Sequence, residues 1–230
     1  MATASAGRCV NALYVKERFG IAAPVHRGAA QASGPALGEG YPDFVHGRNG
    51  LGDIAFNEPA LHEEPLPAAE ANIAGDPVAA DAVFVSGMPL TVVGLDVTAK
   101  TRMDESFIHT LRERAGDAGE FIYQTTRVYF DFYEQSGGSR ECPIHDSSAV
   151  ACLLAPTLYR TRLRAVRVAT EGIAIGQTVA GEPGVSYVSD AWRHAPPIRV
   201  CADVDADAVR ALYLDTLAFA GEAHQTRLRL

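Results

Sequence analysis

Apolar residues recur along this chain with two different spacings, and each spacing predicts its own kind of element. Helical spacing bounded by capping residues predicts helices over residues 5–18, 76–85, 102–115, 117–134, 146–154 and 205–219. Short runs of strand type predict strands over residues 22–25, 89–95, 163–169 and 198–202. Strands that alternate with helices predict an α/β layered fold.

One long stretch carries no periodic pattern. Residues 27–62 are rich in Gly, Pro, Asn and His. An irregular segment of this length inside a compact domain is unusual and is often functional. The stretch ends before Asp76-Pro77, where Asp as N-cap and Pro at the first helical position predict the start of a helix.

Composition bounds the size and class of the protein. The chain has 230 residues, of which 47% are hydrophobic, enough for a single domain over residues 1–230 with a sizeable core. No apolar run reaches the roughly 18 residues that a membrane-spanning helix needs, and the N-terminus lacks an apolar leader. We therefore expect a cytoplasmic protein that does not associate with membranes.

The net charge argues against a nucleic-acid-binding protein, and the cysteine spacing argues against a zinc site or a disulfide framework. The net charge of −8 argues against a nucleic-acid partner, which would require clustered Lys and Arg. The densest basic group is predicted to be the solvated side of a strand, and it comprises Arg160, Arg162, Arg164 and Arg167. The four cysteines form no Cys-x-x-Cys pair and predict reduced, mostly buried thiols of a cytosolic protein. They are Cys9, Cys142, Cys152 and Cys201.

Several polar residues could carry chemistry, and each also has an ordinary structural interpretation. His46 beside a glycine fits a turn. Glu70 and Asn72, two residues apart, point the same way on an extended segment, but they could equally cap the helix that follows. His145 precedes Asp146 and an apolar helix, for which Asp146 is a good N-cap. Composition and spacing alone leave these alternatives open and name no reaction.

Four segments together carry a resemblance. In chain order they are Val-His-Gly-Arg-Asn-Gly-Leu-Gly at 45–52, Glu-Ala-Asn and Asp-Pro-Val-Ala-Ala within 70–80, Pro-Leu-Thr-Val-Val-Gly-Leu-Asp-Val-Thr at 89–98, and Pro-Ile-His-Asp-Ser-Ser-Ala-Val-Ala at 143–151. Their sequence and order resemble the inosine–uridine-preferring nucleoside hydrolases. The resemblance implies a doubly wound, mainly parallel sheet.

The resemblance also implies a reaction and a role for each residue. The substrate would be a purine or pyrimidine ribonucleoside, hydrolysed by water at the anomeric carbon with the help of calcium. Glu70 and Asn72 would bind ribose hydroxyls, His46 would line the base end of the pocket, His145 would protonate the leaving base, and Asp146 would be a calcium ligand. The family also implies a homo-oligomer.

The chain departs from the family in two places. The N-terminal Asp-x-Asp-x-Gly-x-Asp-Asp run is absent, and residues 54–67 form a shortened junction where a strand–helix–strand segment is expected. The fold is therefore expected to lack the first strand and a central segment. Calcium takes about 6–8 oxygen ligands, and only Asp146 is recovered.

We therefore expect weak or absent activity. Two alternatives stay open, namely an active hydrolase whose true start lies upstream and a non-catalytic nucleoside-binding or interaction protein.

Overall fold

The computed structural model describes residues 4–25, 48–49, 51–55, 73, 75–136, 138–193 and 195–228. The helices are α1 (Ala4–Phe19), α2 (Pro77–Phe84), α3 (Leu95–Thr98), α4 (Glu105–Arg114), α5 (Gly116–Gln135), α6 (Asp146–Leu154) and α7 (Ala206–Leu228). The strands are β1 (Thr91–Val92), β2 (Arg102–Asp104), β3 (Glu141–Pro143), β4 (Tyr159–Val168), β5 (Thr178–Ala180) and β6 (Pro197–Val204).

Four of these strands form a mixed sheet in the order β1-β6-β4-β5. β1 runs parallel to β6 with Thr91 opposite Arg199, whereas β4 is antiparallel to both β6 and β5. The predicted α/β architecture is confirmed. Among the described strands of this sheet, one pairing is parallel and two are antiparallel, and most of residues 54–67 lie outside the described residues.

Helices cover both faces of this sheet. Ile198 and Val200 on β6 pack with Phe84 of α2, while Cys201, the next residue, packs with Val209 of α7. Alternate side chains of a strand point to opposite faces, so the two clusters lie on the two sides of the sheet. This layering explains why Ile198, Val200 and Cys201 on β6 are all apolar although they face opposite sides of the sheet.

A second lobe is built on the antiparallel β2–β3 pair and the helices α4 and α5. Its core contains Phe107, Leu111 and Phe130, all buried. A Cβ at Gly119 would stand 2.3 Å from the Leu111 carbonyl oxygen, closer than any real side chain approaches. A glycine is therefore required where the start of α5 crosses the end of α4.

Three helix ends, the starts of α2 and α7 and the end of α1, follow the capping pattern that the sequence predicts. The Asp76 carboxylate accepts a hydrogen bond of 3.0 Å from the Ala79 backbone N–H at the start of α2. Asp205 accepts a bond of 3.0 Å from the Ala208 N–H at the start of α7. Gly20, with φ of +62°, follows the last residue of α1. Such a left-handed glycine is the common C-terminal signal of helices.

Two predicted strands need correction. Residues 22–25 form no strand, since a strand requires a hydrogen-bonded neighbour and none of the described residues supplies one. In the predicted strand 89–95 only Thr91–Val92 pairs, and Gly94 ends the run by opening the one-turn helix α3. Leu95 is then 72% exposed, so the apolar run marked a strand followed by a turn rather than one long strand.

The basic group on β4 is only in part the solvated side of a strand. Arg160 and Arg162 are exposed. Arg167 instead lies near the end of β4, beyond the last residue paired with β6, and binds the Asp81 carboxylate through two of its nitrogens. The charge there is paired inside the fold rather than hydrated.

The described cysteines agree with the prediction of reduced, buried thiols. Cys142, Cys152 and Cys201 are free and buried. Burial raises the pKa of Cys142 to about 11, which keeps it a neutral thiol. In the described part of the chain, no helix is both long and apolar enough to cross a membrane.

Candidate functional site

The junction between β3 and α6 positions two of the candidate residues, His145 and Asp146. The β2–β3 pairing places Arg102 opposite Pro143, and the Ile144 N–H donates to the Thr101 carbonyl over 2.8 Å. These bonds fix the backbone up to the residue before His145. Helix α6 then begins directly at Asp146.

The prediction of Asp146 as the N-cap is wrong. His145 occupies the N-cap position and makes no side-chain capping bond, while Asp146 is the first residue of the helix. The bond from the Ile144 N–H to the Thr101 carbonyl ties the chain down as far as Ile144, and His145 is the one residue between this bond and the helix. Asp146 is exposed in the first turn, where the positive end of the helix dipole favours a carboxylate.

The His145 ring is held from one side by Thr98. The distance between Thr98 Oγ1 and His145 Nδ1 is 2.7 Å. Thr98 is the last residue of α3 and is buried, whereas His145 is half-buried. Among the described residues, none forms a hydrogen bond with Nε2, the other ring nitrogen.

The surroundings of His145 favour its neutral form. Burial lowers the pKa of the imidazole, because the charged ring loses hydration. The adjacent Asp146 carboxylate raises the pKa, and the Arg102 guanidinium lowers it further. The net shift of the His145 pKa is downward, so the site favours the neutral ring.

Helix α6 is itself anchored on its buried side. The hydroxyls of Ser148 and Tyr159 lie 2.8 Å apart, and the Tyr159 hydroxyl donates to the Ser148 carbonyl over 2.8 Å. Further along the helix, the sulfurs of Cys152 and Cys201 lie 3.7 Å apart against β6. The helix that begins at Asp146 is therefore fixed relative to the sheet.

The described residues alone do not form a calcium site. Within these ranges there is no cluster of three or more His, Cys, Asp or Glu side chains that could hold a metal. Calcium needs about 6–8 oxygen ligands, and one exposed carboxylate at Asp146 supplies two at most. No step of the chemistry is therefore assigned to a metal.

Two of the five predicted site residues lie within the described part of the chain, and there they are neighbours. His145 and Asp146 are adjacent at the start of α6. The other three predicted residues, His46, Glu70 and Asn72, lie outside the described residues, so their roles stay predictions. Thr98 was missed as a functional residue. It belongs to the quoted segment 89–98, but only the fold reveals that a residue 47 positions away meets the histidine.

Comparison with known sequences identifies relatives. The family model for inosine-uridine preferring nucleoside hydrolase matches residues 61–211. Uridine nucleosidase 1 of Arabidopsis thaliana is 28% identical, over 78% of this chain and 72% of that protein. A probable uridine nucleosidase 1 of Oryza sativa subsp. japonica is 34% identical, over 66% of this chain and 47% of that protein.

Comparison with solved structures tests the fold. A plant nucleoside hydrolase superimposes with a TM-score of 0.84 at 23% identity, covering 93% of this chain and 86% of the other. At this identity the similarity shows the fold alone. The chain thus has the fold of that hydrolase, and its sequence match spans about half the length of the rice relative.

Proposed function

Because the chain belongs to the inosine-uridine preferring nucleoside hydrolase family, we propose that it binds ribonucleosides and hydrolyses their N-glycosidic bond to release base and ribose. The observation that carries the proposal is His145, held on Nδ1 by Thr98, with no described residue bonded to Nε2, directly before Asp146 inside the matched region. Two relatives are named as uridine nucleosidases, so uridine is the first substrate to test.

The chemistry assigned to the described residues is assistance to the departing base. As the bond between the anomeric carbon and the base nitrogen breaks, the electron pair stays with the base, while water forms the new bond to the anomeric carbon and the proton that this water loses ends on the base. A ring N–H of His145 pointing at that base stabilises the developing negative charge more strongly than it stabilises the bound substrate. Glu70 and Asn72 would bind the ribose hydroxyls, and His46 would contact the base.

The direct test is release of ribose from uridine and from inosine, with calcium present and with calcium chelated. We expect His145→Ala to lower turnover by about 10²–10³, the usual cost of removing one hydrogen-bond donor to a charge that develops in the transition state. Asp146→Asn is expected to lower turnover in the presence of calcium, with little further loss on chelation.

Matched controls are available in the same fold. His109 is an exposed histidine on α4 that contacts Glu105, and Asp207 is an exposed carboxylate in the first turn of α7, as Asp146 is in α6. His109→Ala and Asp207→Asn are expected to leave turnover unchanged. Wild-type turnover by the His145→Ala variant would refute the proposed role of this residue.

The same assay separates hydrolysis from binding alone. Nucleoside binding without ribose release, abolished by Glu70→Ala, would identify a non-catalytic nucleoside-binding protein. Calcium dependence, a homo-oligomeric state and a cytoplasmic location also remain proposals. The free thiols Cys142, Cys152 and Cys201 support the last of these, since they fit a reducing compartment.

A further inference from the structure

We propose that Thr98 is the positioning residue for His145, with its hydroxyl donating to Nδ1 so that the neutral ring carries its proton on Nε2. Thr98 thereby determines which ring nitrogen carries the hydrogen that His145 can donate. The use of that donor toward a leaving base rests on the proposed function. The assignment of the proton to Nε2 rests on geometry alone.

Both partners of the contact are fixed by their backbones. The Thr98 N–H donates to the Gly94 carbonyl over 3.0 Å, and the Thr98 carbonyl accepts from the Thr101 N–H over 3.1 Å. The Thr101 carbonyl in turn binds the Ile144 N–H, next to His145. These backbone hydrogen bonds therefore fix the position of the Thr98 hydroxyl relative to the His145 ring. Thr98 is only 3% exposed, so water does not compete for its hydroxyl.

The direction of the hydrogen bond follows from the acceptors within reach. A threonine hydroxyl has one hydrogen to donate and can accept from a second group. Its alternative acceptor is the Leu95 carbonyl at 3.5 Å, the outer limit of a hydrogen bond, whereas Nδ1 lies at 2.7 Å. The hydrogen is best placed toward Nδ1, and a neutral ring that accepts at Nδ1 has its own hydrogen on Nε2.

This arrangement has a chemical consequence for the proposed reaction. A neutral Nε2–H donates a hydrogen bond that strengthens as the base takes up the electron pair of the broken bond. No proton has to leave the ring for this stabilisation. With the opposite tautomer Nε2 would be an acceptor and would repel the same electron pair.

The test is nitrogen NMR of protein labelled with ¹⁵N in its histidine side chains, at a pH where the ring is neutral. The chain has seven histidines, and His145→Gln identifies the signals of His145 by their loss. We expect the wild type and Thr98→Ser to show a protonated Nε2 and an unprotonated Nδ1. Thr98→Val, which has the same shape without the hydroxyl, is expected to show both tautomers.

A matched control is Thr126→Val. Thr126 is also a buried threonine, but its hydroxyl bonds backbone carbonyls of Ile122 and Tyr123 within α5, so the His145 signals should not move. Wild-type signals in Thr98→Val would overturn the inference. If Thr98→Val fails to fold, the wild-type spectrum still decides, because a hydrogen on Nδ1 contradicts the proposed direction of the bond.

Turnover provides the second readout. If the protein releases ribose, we expect Thr98→Val to lower kcat by about tenfold or more with little change in KM, and Thr98→Ser to restore most of it, as part of the contribution of a catalytic donor. If the wild type releases no ribose, the proposed function fails. The tautomer measurement then decides the role of Thr98 independently.

Discussion

Two groups of ion pairs lie on the segments that precede the candidate residues in the chain. One lies on α2, before Thr98, and the other lies just before β3 and His145, and the two groups differ in how far their side chains are buried. On one segment, Asp81 of α2 pairs with Arg167 of β4, and the exposed fractions of their side chains are 14% and 24%. On the other, Arg140 precedes β3 and contacts three carboxylates on the surface, those of Glu105, Asp131 and Glu134.

The Asp81 carboxylate accepts short hydrogen bonds from several donors at once. Arg167 donates to the two carboxylate oxygens over 2.8 and 2.6 Å, and the Val168 backbone N–H donates to the same carboxylate over 2.8 Å. Arg167 also donates to the carbonyl of Ala191. Because β6 no longer pairs with β4 at this point, Asp81 supplies the partner that the Val168 N–H would otherwise lack.

The Arg140 group has more ion pairs but more water around it. Arg140 donates over 2.7 Å to Glu105, 2.8 Å to Asp131 and 2.5 Å to Glu134, and the last two side chains are more than half exposed. Hydrogen bonds to Asp131 and the other carboxylates raise the pKa of Arg140. Exposed carboxylates are rehydrated when a partner is removed, so the number of pairs does not measure their contribution to stability.

The largest expected effect is that of Asp81→Asn. The change leaves the Arg167 guanidinium partly buried without its counter-charge, and breaking a buried ion pair costs about 3–5 kcal/mol. Because both side chains keep some exposure, we expect a loss of about 2–4 kcal/mol in the free energy of unfolding. Urea denaturation measures it.

A matched control is Asp190→Asn, which removes a carboxylate that is 82% exposed and paired with Arg193. This variant should unfold within about 0.5 kcal/mol of the wild type. Equal urea midpoints for Asp81→Asn and the wild type would show that burial does not separate the two kinds of pair.

The next expected effect is on the pH dependence of the same variant. The hydrogen bond from Arg167 holds the pKa of Asp81 below its usual range, against the opposing effect of burial. A lowered pKa in the folded state gives stability that is complete above the unfolded pKa of about 3.9 and is lost as the pH falls through the folded value.

The difference in unfolding free energy between wild type and Asp81→Asn should therefore be constant from about pH 7 to pH 5 and shrink below about pH 4. Urea denaturation of both proteins at several pH values measures it. A difference that grows on acidification would contradict the assigned sign.

The comparison also shows what the sequence could and could not predict. Asp76-Pro77 and the Asp205 cap were predictable because each bond joins residues three positions apart, and local spacing encodes such bonds. The resemblance of the segment 143–151 likewise picked out His145 and Asp146 from a local run of residues.

Contacts across the fold could not be predicted in this way. Thr98 meets His145 across 47 residues, and Asp81 meets Arg167 across 86. A basic residue on a strand has the same local pattern whether water or a buried carboxylate faces it, which is why Arg167 was assigned to the solvated side. The partner depends on where β6 stops pairing with β4, and no single segment specifies that point.

The smallest expected effect is that of Arg140→Gln, and its dependence on salt sharpens the comparison. At low salt the variant should lose less stability than Asp81→Asn, because Glu105 keeps its hydrogen bonds to Arg127 and the other carboxylates face water. In about 1 M NaCl the Debye length falls to about 3 Å and exposed charges are screened, so the remaining difference from wild type should vanish. Asp81→Asn should keep most of its effect in the same salt, since a partly buried pair is screened less. Urea denaturation of the three proteins at both salt concentrations measures this contrast, and an Arg140→Gln effect that survives high salt would mean that this surface group acts as a buried pair does.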